Sequence, residues 1–193
     1  MNNVTIGGEK VFLRPPTSND QTEFLALNLA SKRFHRGLVS PPTTPEQFKG
    51  FLVRASKADS VCLLVCLVTN DAIIGSISLS QIFRRGFQNA YLGYYVAERY
   101  AGHGYMSEAI QLVLRYAFND LKLHRLEANI QPGNVASIAL VRRAGFVLEG
   151  YSRRYLKISG RWRDHERWAI LVEDWKTKTR PARRKRQLKQ VKP

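Results

Sequence analysis

The chain has 193 residues, is 44% hydrophobic and carries a formal net charge of +16, which suits one domain with a sizeable core. Its longest strongly apolar run, Val61–Val68, is too short to span a bilayer, and Met1–Lys10 lacks the apolar stretch of a secretory signal. Cys62 and Cys66 fall on one expected strand about 13 Å apart, beyond disulfide reach, so a soluble protein of the reducing cytoplasm is expected.

In chain order, Lys10–Arg14 reads as a short strand closed by Pro15-Pro16. Ser18, Asn19 and Asp20 offer N-caps for a helix carrying Phe24, Leu25, Leu27 and Leu29. After Pro41-Pro42, Thr44-Pro45-Glu46-Gln47 has the form of a capping box with Pro at the first helical position, opening a helix towards Lys57. Val61–Val68 reads as a buried strand, and Asn70-Asp71 turns the chain into a second one, Ile73–Ile82. The loop Arg84-Arg85-Gly86 leads to an aromatic and β-branched strand, Tyr91–Ala97. Past Arg99–Gly104, the residues Met106, Ala109, Ile110, Val113, Leu114 and Ala117 recur at helical spacing. His124–Ile130 is a further strand, Val135–Ala144 a helix stopped by Gly145, and Val147–Leu156 and Arg161–Val172 a final strand pair around Ser159-Gly160. No internal repeat is visible, and the element order implies a mixed α/β sheet in one domain.

Beyond Trp175 the chain holds nine lysines and arginines and no acid, leaving +7 on residues 1–175. Residues 176–193 read as a basic, disordered arm. Such an arm suits a phosphate polymer such as ribosomal RNA, or is a solvated end without a partner.

The junction of strand, glycine loop and helix at Tyr91–Phe118 has a definite chemistry. Gly102 and Gly104 let the backbone turn and a ligand approach closely. A helix beginning near Tyr105 adds unpaired N–H groups and the positive end of its dipole, a seat for phosphate or pyrophosphate. The plainer alternative is a tight turn with glycines for geometry alone. A Walker loop is excluded because no Lys-Ser or Lys-Thr follows Gly104, and a dinucleotide fingerprint because position 107 is Ser.

What the segment does match is R/Q-x-x-G-x-G/A between a strand and a helix, through Arg99, Gly102 and Gly104. That resembles the acetyl-CoA pyrophosphate loop of the GNAT N-acetyltransferases. A second block, matched by Asn134, Ser137, Leu140, Arg143, Gly145 and Phe146, resembles the family's N-x-x-[AS]-x-x-L-x-x-[KR]-x-G-F helix. Alone, that block is also a short helix with an Asn cap and a Gly stop. Gly86–Tyr94 and Gly150–His165 are similar to the RimJ-type ribosomal-protein-alanine N-acetyltransferases. The resemblance covers residues 9–175, the expected catalytic domain.

By that resemblance the fold is a mostly antiparallel sheet with flanking helices and a splayed parallel pair, the strands ending at Ala97 and Ile130. Acetyl-CoA is the implied co-substrate, with no metal. Tyr95, Val96 and Ala97 would line its pantetheine arm. The backbone of Arg99, Tyr100, Ala101, Gly102, His103, Gly104, Tyr105 and Met106 would take the pyrophosphate. Asn129, Asn134 and Ser137 would reach the thioester end, with Arg143 also on the cofactor side.

The match departs from the family at the chemistry. The Tyr that often protonates the departing thiolate is Val141 here, leaving Ser137 as the best hydroxyl, unless it merely bonds a backbone carbonyl. A carboxylate base used in one branch is replaced by Asn129. Glu127, two residues earlier on the same strand face, is the candidate base, with Asp164, His165 and Glu166 as rivals; for each acid a salt bridge is the competing role. The implied acceptor is the N-terminal α-amine of a protein, a ribosomal one in particular. A small-molecule amine, or an RNA- or ribosome-binding module without turnover, are the alternatives, and the sequence leaves the oligomeric state open.

Overall fold

The computed structural model describes residues 5–179, so the expectation for the rest of the basic arm lies outside the described residues. Eight strands form one sheet: β1 (Ile6–Gly7), β2 (Val11–Arg14), β3 (Val61–Leu67), β4 (Ile73–Ser80), β5 (Asn89–Val96), β6 (Arg125–Ile130), β7 (Val147–Ile158) and β8 (Arg161–Leu171). Their spatial order is β1-β2-β3-β4-β5-β6-β8-β7, and every neighbouring pair is antiparallel except β5 and β6. The mixed α/β architecture with a parallel pair is the one expected.

Helices cover both faces, which is why β3 is apolar throughout instead of alternating. Leu63, Val65 and Leu67 point into a core shared with α3 (Tyr105–Arg115) and α4 (Val135–Ala144). Cys62, Leu64 and Cys66 point the other way, against Phe24 and Leu27 of α1 (Gln21–Ala30) and Phe48 and Phe51 of α2 (Pro45–Ala55). The periodic residues Met106, Ala109, Ile110, Val113 and Leu114 are all buried on the first face, as the 3.6-residue spacing requires.

The structure departs from the local signals at two places and extends one helix. Ser18, Asn19 and Asp20 form a 3-10 turn; Asp20 stands at the N-cap of α1 but makes no side-chain cap bond there, its carboxylate instead reaching back to the N–H and hydroxyl of Thr17 and to Arg14. Burial pushes that carboxyl up, but these hydrogen bonds outweigh it and hold it below the usual carboxylate range. Helix α3 runs on into a π-helical turn, Tyr116–Asp120. The last strand stops at Leu171 and the chain enters α5 (Val172–Thr179), where Trp175 packs on Phe118 with ring centroids 5.4 Å apart. Lys176 and Lys178 therefore belong to a helix, not to a disordered arm. Among the described residues no helix is long and apolar enough to cross a membrane.

One irregularity sets up the site. β5 and β6 pair only from Asn89 opposite Arg125 to Tyr91 opposite Glu127, although β5 continues to Val96 and β6 to Ile130. β5 stays with β4 to the register Gly75–Val96, and β6 stays with β8 to Ile130–Glu166. A Cβ on Gly75 would stand 2.3 Å from the Tyr95 carbonyl oxygen, so only glycine lets β5 press so closely on β4 and lean away from β6.

Candidate active site

The divergence of β5 from β6 leaves backbone without a sheet partner. Ala97 N–H donates to the Ile74 carbonyl of β4. Because strand groups alternate in direction, Tyr94 and Val96 turn their backbone N–H and C=O towards the gap. Unpaired backbone of this kind invites a ligand with amide groups. Side chains alternate in the opposite sense: Tyr94 packs with the α3/α4 core and Tyr95 with the α1/α2 core.

A cavity of about 520 Å³ occupies the gap and is lined by residues from both faces of the sheet. Tyr95, Val96, Tyr100, Ala101, Gly102, Gly104, Met106, Asn129, Asn134, Ser137 and Arg143 all line it. The glycine loop and the second sequence block, separate in the chain, thus meet at one hollow. Gly102 and Gly104 both have φ of +81°, and nothing stands within 4 Å of a Cβ built on either. The loop is therefore left-handed with open space above it, at the N-terminus of an 11-residue helix. Asn134 caps α4, its Oδ1 accepting from Ser137 N–H at 3.2 Å.

Other expected residues stand beside the hollow. Ala97 is buried in the α1/α2 core, the Arg99 guanidinium lies 4.7 Å from the Tyr100 ring centroid, and His103 stacks on Tyr105 with its Nδ1 on the Ala101 carbonyl. Glu127 is not among the residues that line the cavity. It sits at the last paired position of β5 and β6, before the gap opens, and its carboxylate holds Arg125 at 2.9 Å, while Arg125 also grips Glu149.

Two hydroxyls define one side of the hollow. Tyr94 Oη lies 2.5 Å from Ser137 Oγ, and burial pushes the Tyr94 phenol up to about 12. Tyr94 was missed from sequence as a functional residue; its only signal was its alternation with Tyr95. Val141, at the position of the absent family Tyr, is fully buried in the core.

On the other side stand Asn129, whose Oδ1 is buried without a partner, and His35, whose Nε2 donates to the Val96 carbonyl at 2.9 Å. Burial pushes the His35 imidazole below its usual value, so it is neutral at pH 7. No pattern in the sequence flagged it. Of the rivals in the last strand pair, only His165 lines the cavity. Asp164 borders a second, adjoining hollow, where it accepts from Tyr151 Oη at 2.5 Å and from Arg154 N–H; Glu166 accepts from the Trp168 indole. Among the described residues no group of three His, Cys, Asp or Glu is placed to hold a metal.

Residues 10–147 match the acetyltransferase (GNAT) domain family. The chain is 33% identical over 175 residues to the probable N-acetyltransferase YjcK of Bacillus subtilis, an alignment covering 86% of this chain and 97% of that protein. It is 41% identical over 103 residues, 53% of each chain, to the ribosomal protein uS5-alanine N-acetyltransferase of Escherichia coli. Among solved structures, Mycobacterium smegmatis RimJ in complex with CoA-disulfide superposes with a TM-score of 0.81 at 26% identity, covering 89% of each chain.

Proposed function

The chain belongs to the GNAT acetyltransferases, and from that premise we propose that it moves the acetyl group of acetyl-CoA onto the N-terminal α-amine of a polypeptide, with ribosomal proteins as the leading acceptors. The carrying observation is the cavity that runs through the splayed strand pair from the Gly102–Gly104 loop to the Tyr94–Ser137 hydroxyls. The loop's open N–H groups suit a pyrophosphate. The outward-turned backbone of Tyr94 and Val96 suits the amides of the pantetheine arm, with the Val96 carbonyl already bonded to His35.

In this reading Ser137 gives its proton to the departing thiolate and regains one from Tyr94, the more acidic hydroxyl of the pair. Asn134 fixes the helix turn that presents Ser137. The acceptor assignment draws on the uS5-alanine acetyltransferase relative, and on proton affinity. Roughly a tenth of an α-amine is neutral at pH 7, against well under a thousandth of a lysine. A site without a carboxylate base at the gap favours the former.

The test is CoA thiol release from acetyl-CoA with peptides beginning in Ala or Ser, against the same peptides with blocked N-termini and one internal lysine. Release with free N-termini alone is expected. Release that follows the lysine, or appears only with small amines, would overturn the acceptor assignment.

A further inference from the structure

Acetyl transfer also requires somewhere for the proton of the attacking amine to go, and that place lies across the gap from Ser137. We propose that His165 is the general base of the reaction, its Nε2 taking the acceptor's proton as the amine attacks the thioester carbon. This rests on the acetyl-transfer reading above and supplies the group that completes it.

The tautomer is fixed by the backbone. His165 Nδ1 lies 3.0 Å from the Arg163 carbonyl oxygen, which can only accept, so Nδ1 carries the hydrogen. The lone pair of the neutral ring is therefore on Nε2. That atom has no protein partner among the described residues, and the side chain, 3% exposed, lines the cavity. The edge of the ring faces Tyr155, at 6.2 Å between centroids, which holds its orientation.

Register fixes the side. Asn129 is opposite Arg167 and Ile130 opposite Glu166, so His165 stands one residue past the end of β6, at the mouth of the gap. Alternation puts it on the same face as Arg167 and Asn129, the face of α1 and α2. Tyr94 and Ser137 are on the α3/α4 face. An amine arriving from one face and a thiolate leaving towards the other need a base and an acid disposed in this way.

Each competitor is otherwise engaged. Glu127 lies before the gap on Arg125; Asp164 accepts from Tyr151 and Arg154; Glu166 accepts from Trp168. His35 spends Nε2–H on Val96, and its Nδ1 is buried without a partner.

The step balances as follows. The nitrogen forms a bond to the carbonyl carbon, its extra proton passes to His165 Nε2, the C–S bond breaks, and the thiolate takes the Ser137 proton. Solvent then restores the Tyr94–Ser137 pair and removes the proton from His165.

The experiment uses the full chain with His165→Ala and His165→Gln, measuring CoA affinity by calorimetry and acetyl transfer to a peptide the parent accepts. CoA affinity within about twofold of the parent and a fall of about 10²–10³-fold in kcat/KM for the acceptor are expected. Imidazole added to the His165→Ala enzyme restores rate in proportion to its concentration and leaves the parent unchanged, which a merely structural histidine would not show. A rate close to the parent's in either variant, or a loss in a folded His165→Ala enzyme that imidazole does not touch, overturns the proposal. If His165→Ala fails to fold, His165→Gln decides through its rate at intact CoA affinity. A parent that binds CoA but acetylates no amine would instead overturn the acetyl-transfer reading, and His165 with it.

Discussion

At the scale of single residues, the Tyr94–Ser137 pair carries the clearest expectation. Two hydroxyls 2.5 Å apart in a buried hollow share one hydrogen bond, so removing Ser137 Oγ leaves Tyr94 Oη only the Ser137 backbone carbonyl at 3.4 Å, and removing Tyr94 Oη leaves Ser137 Oγ without its hydroxyl partner. Ser137→Ala should lower kcat by about 100-fold while the KM for acetyl-CoA stays within about twofold, since the serine would serve the leaving group and not the pyrophosphate. Tyr94→Phe should lower kcat less and leave Ser137 able to act. The pH profile follows from the direction of the shift. The protonated phenol is the useful form, and burial holds it protonated up to about 12. Rates from pH 7 to 10 should therefore rise with the neutral fraction of the acceptor and show no alkaline fall from this pair, as initial-rate measurements across that range would reveal.

At the scale of elements, the loop between β5 and α3 is where backbone conformation and ligand access coincide. Gly104 has φ of +81° and open space at its missing Cβ. A side chain there strains the backbone by about 1–2 kcal/mol and fills the space above the helix N-terminus. Gly104→Val should raise the KM for acetyl-CoA at least about tenfold, with the acceptor KM little changed; calorimetry with CoA gives the same comparison without turnover. This loop was legible in the sequence because its information is local: a strand, two glycines and a 3.6-residue period in succession. The start of α1 was not, because the residue that accepts the capping bonds, Asp20, lies inside the turn and is held by Arg14 from a strand. The helix α5 was missed because it is anchored by Trp175 on Phe118, a contact between segments far apart in the chain.

At the scale of the whole molecule, the described fold ends with α5, and seven more lysines and arginines follow Thr179 without an acid. If the catalytic unit and the arm act separately, removing residues 180–193 should leave kcat on short peptides unchanged while weakening, in a salt-sensitive way, any binding to RNA measured by filter retention. Composition and periodicity were sufficient for the mixed α/β class, because that rests on neighbours in the chain, while the parallel strand pair was implied only by the family resemblance that two short motifs carry. They named His165 only as one rival among several, put forward Glu127, which lies before the gap on Arg125, and passed over Tyr94 and His35. Those outcomes depend on where β5 parts from β6, on the register of β8 against β6, and on which face each side chain takes. A shift of one residue in that register would move His165 to the other face and away from Asn129. Sequence by itself determined that the chain could build a strand, a glycine loop and a helix to seat an anion. Only the tertiary structure decided which groups face one another across the gap, because strand pairing joins residues that no local pattern connects.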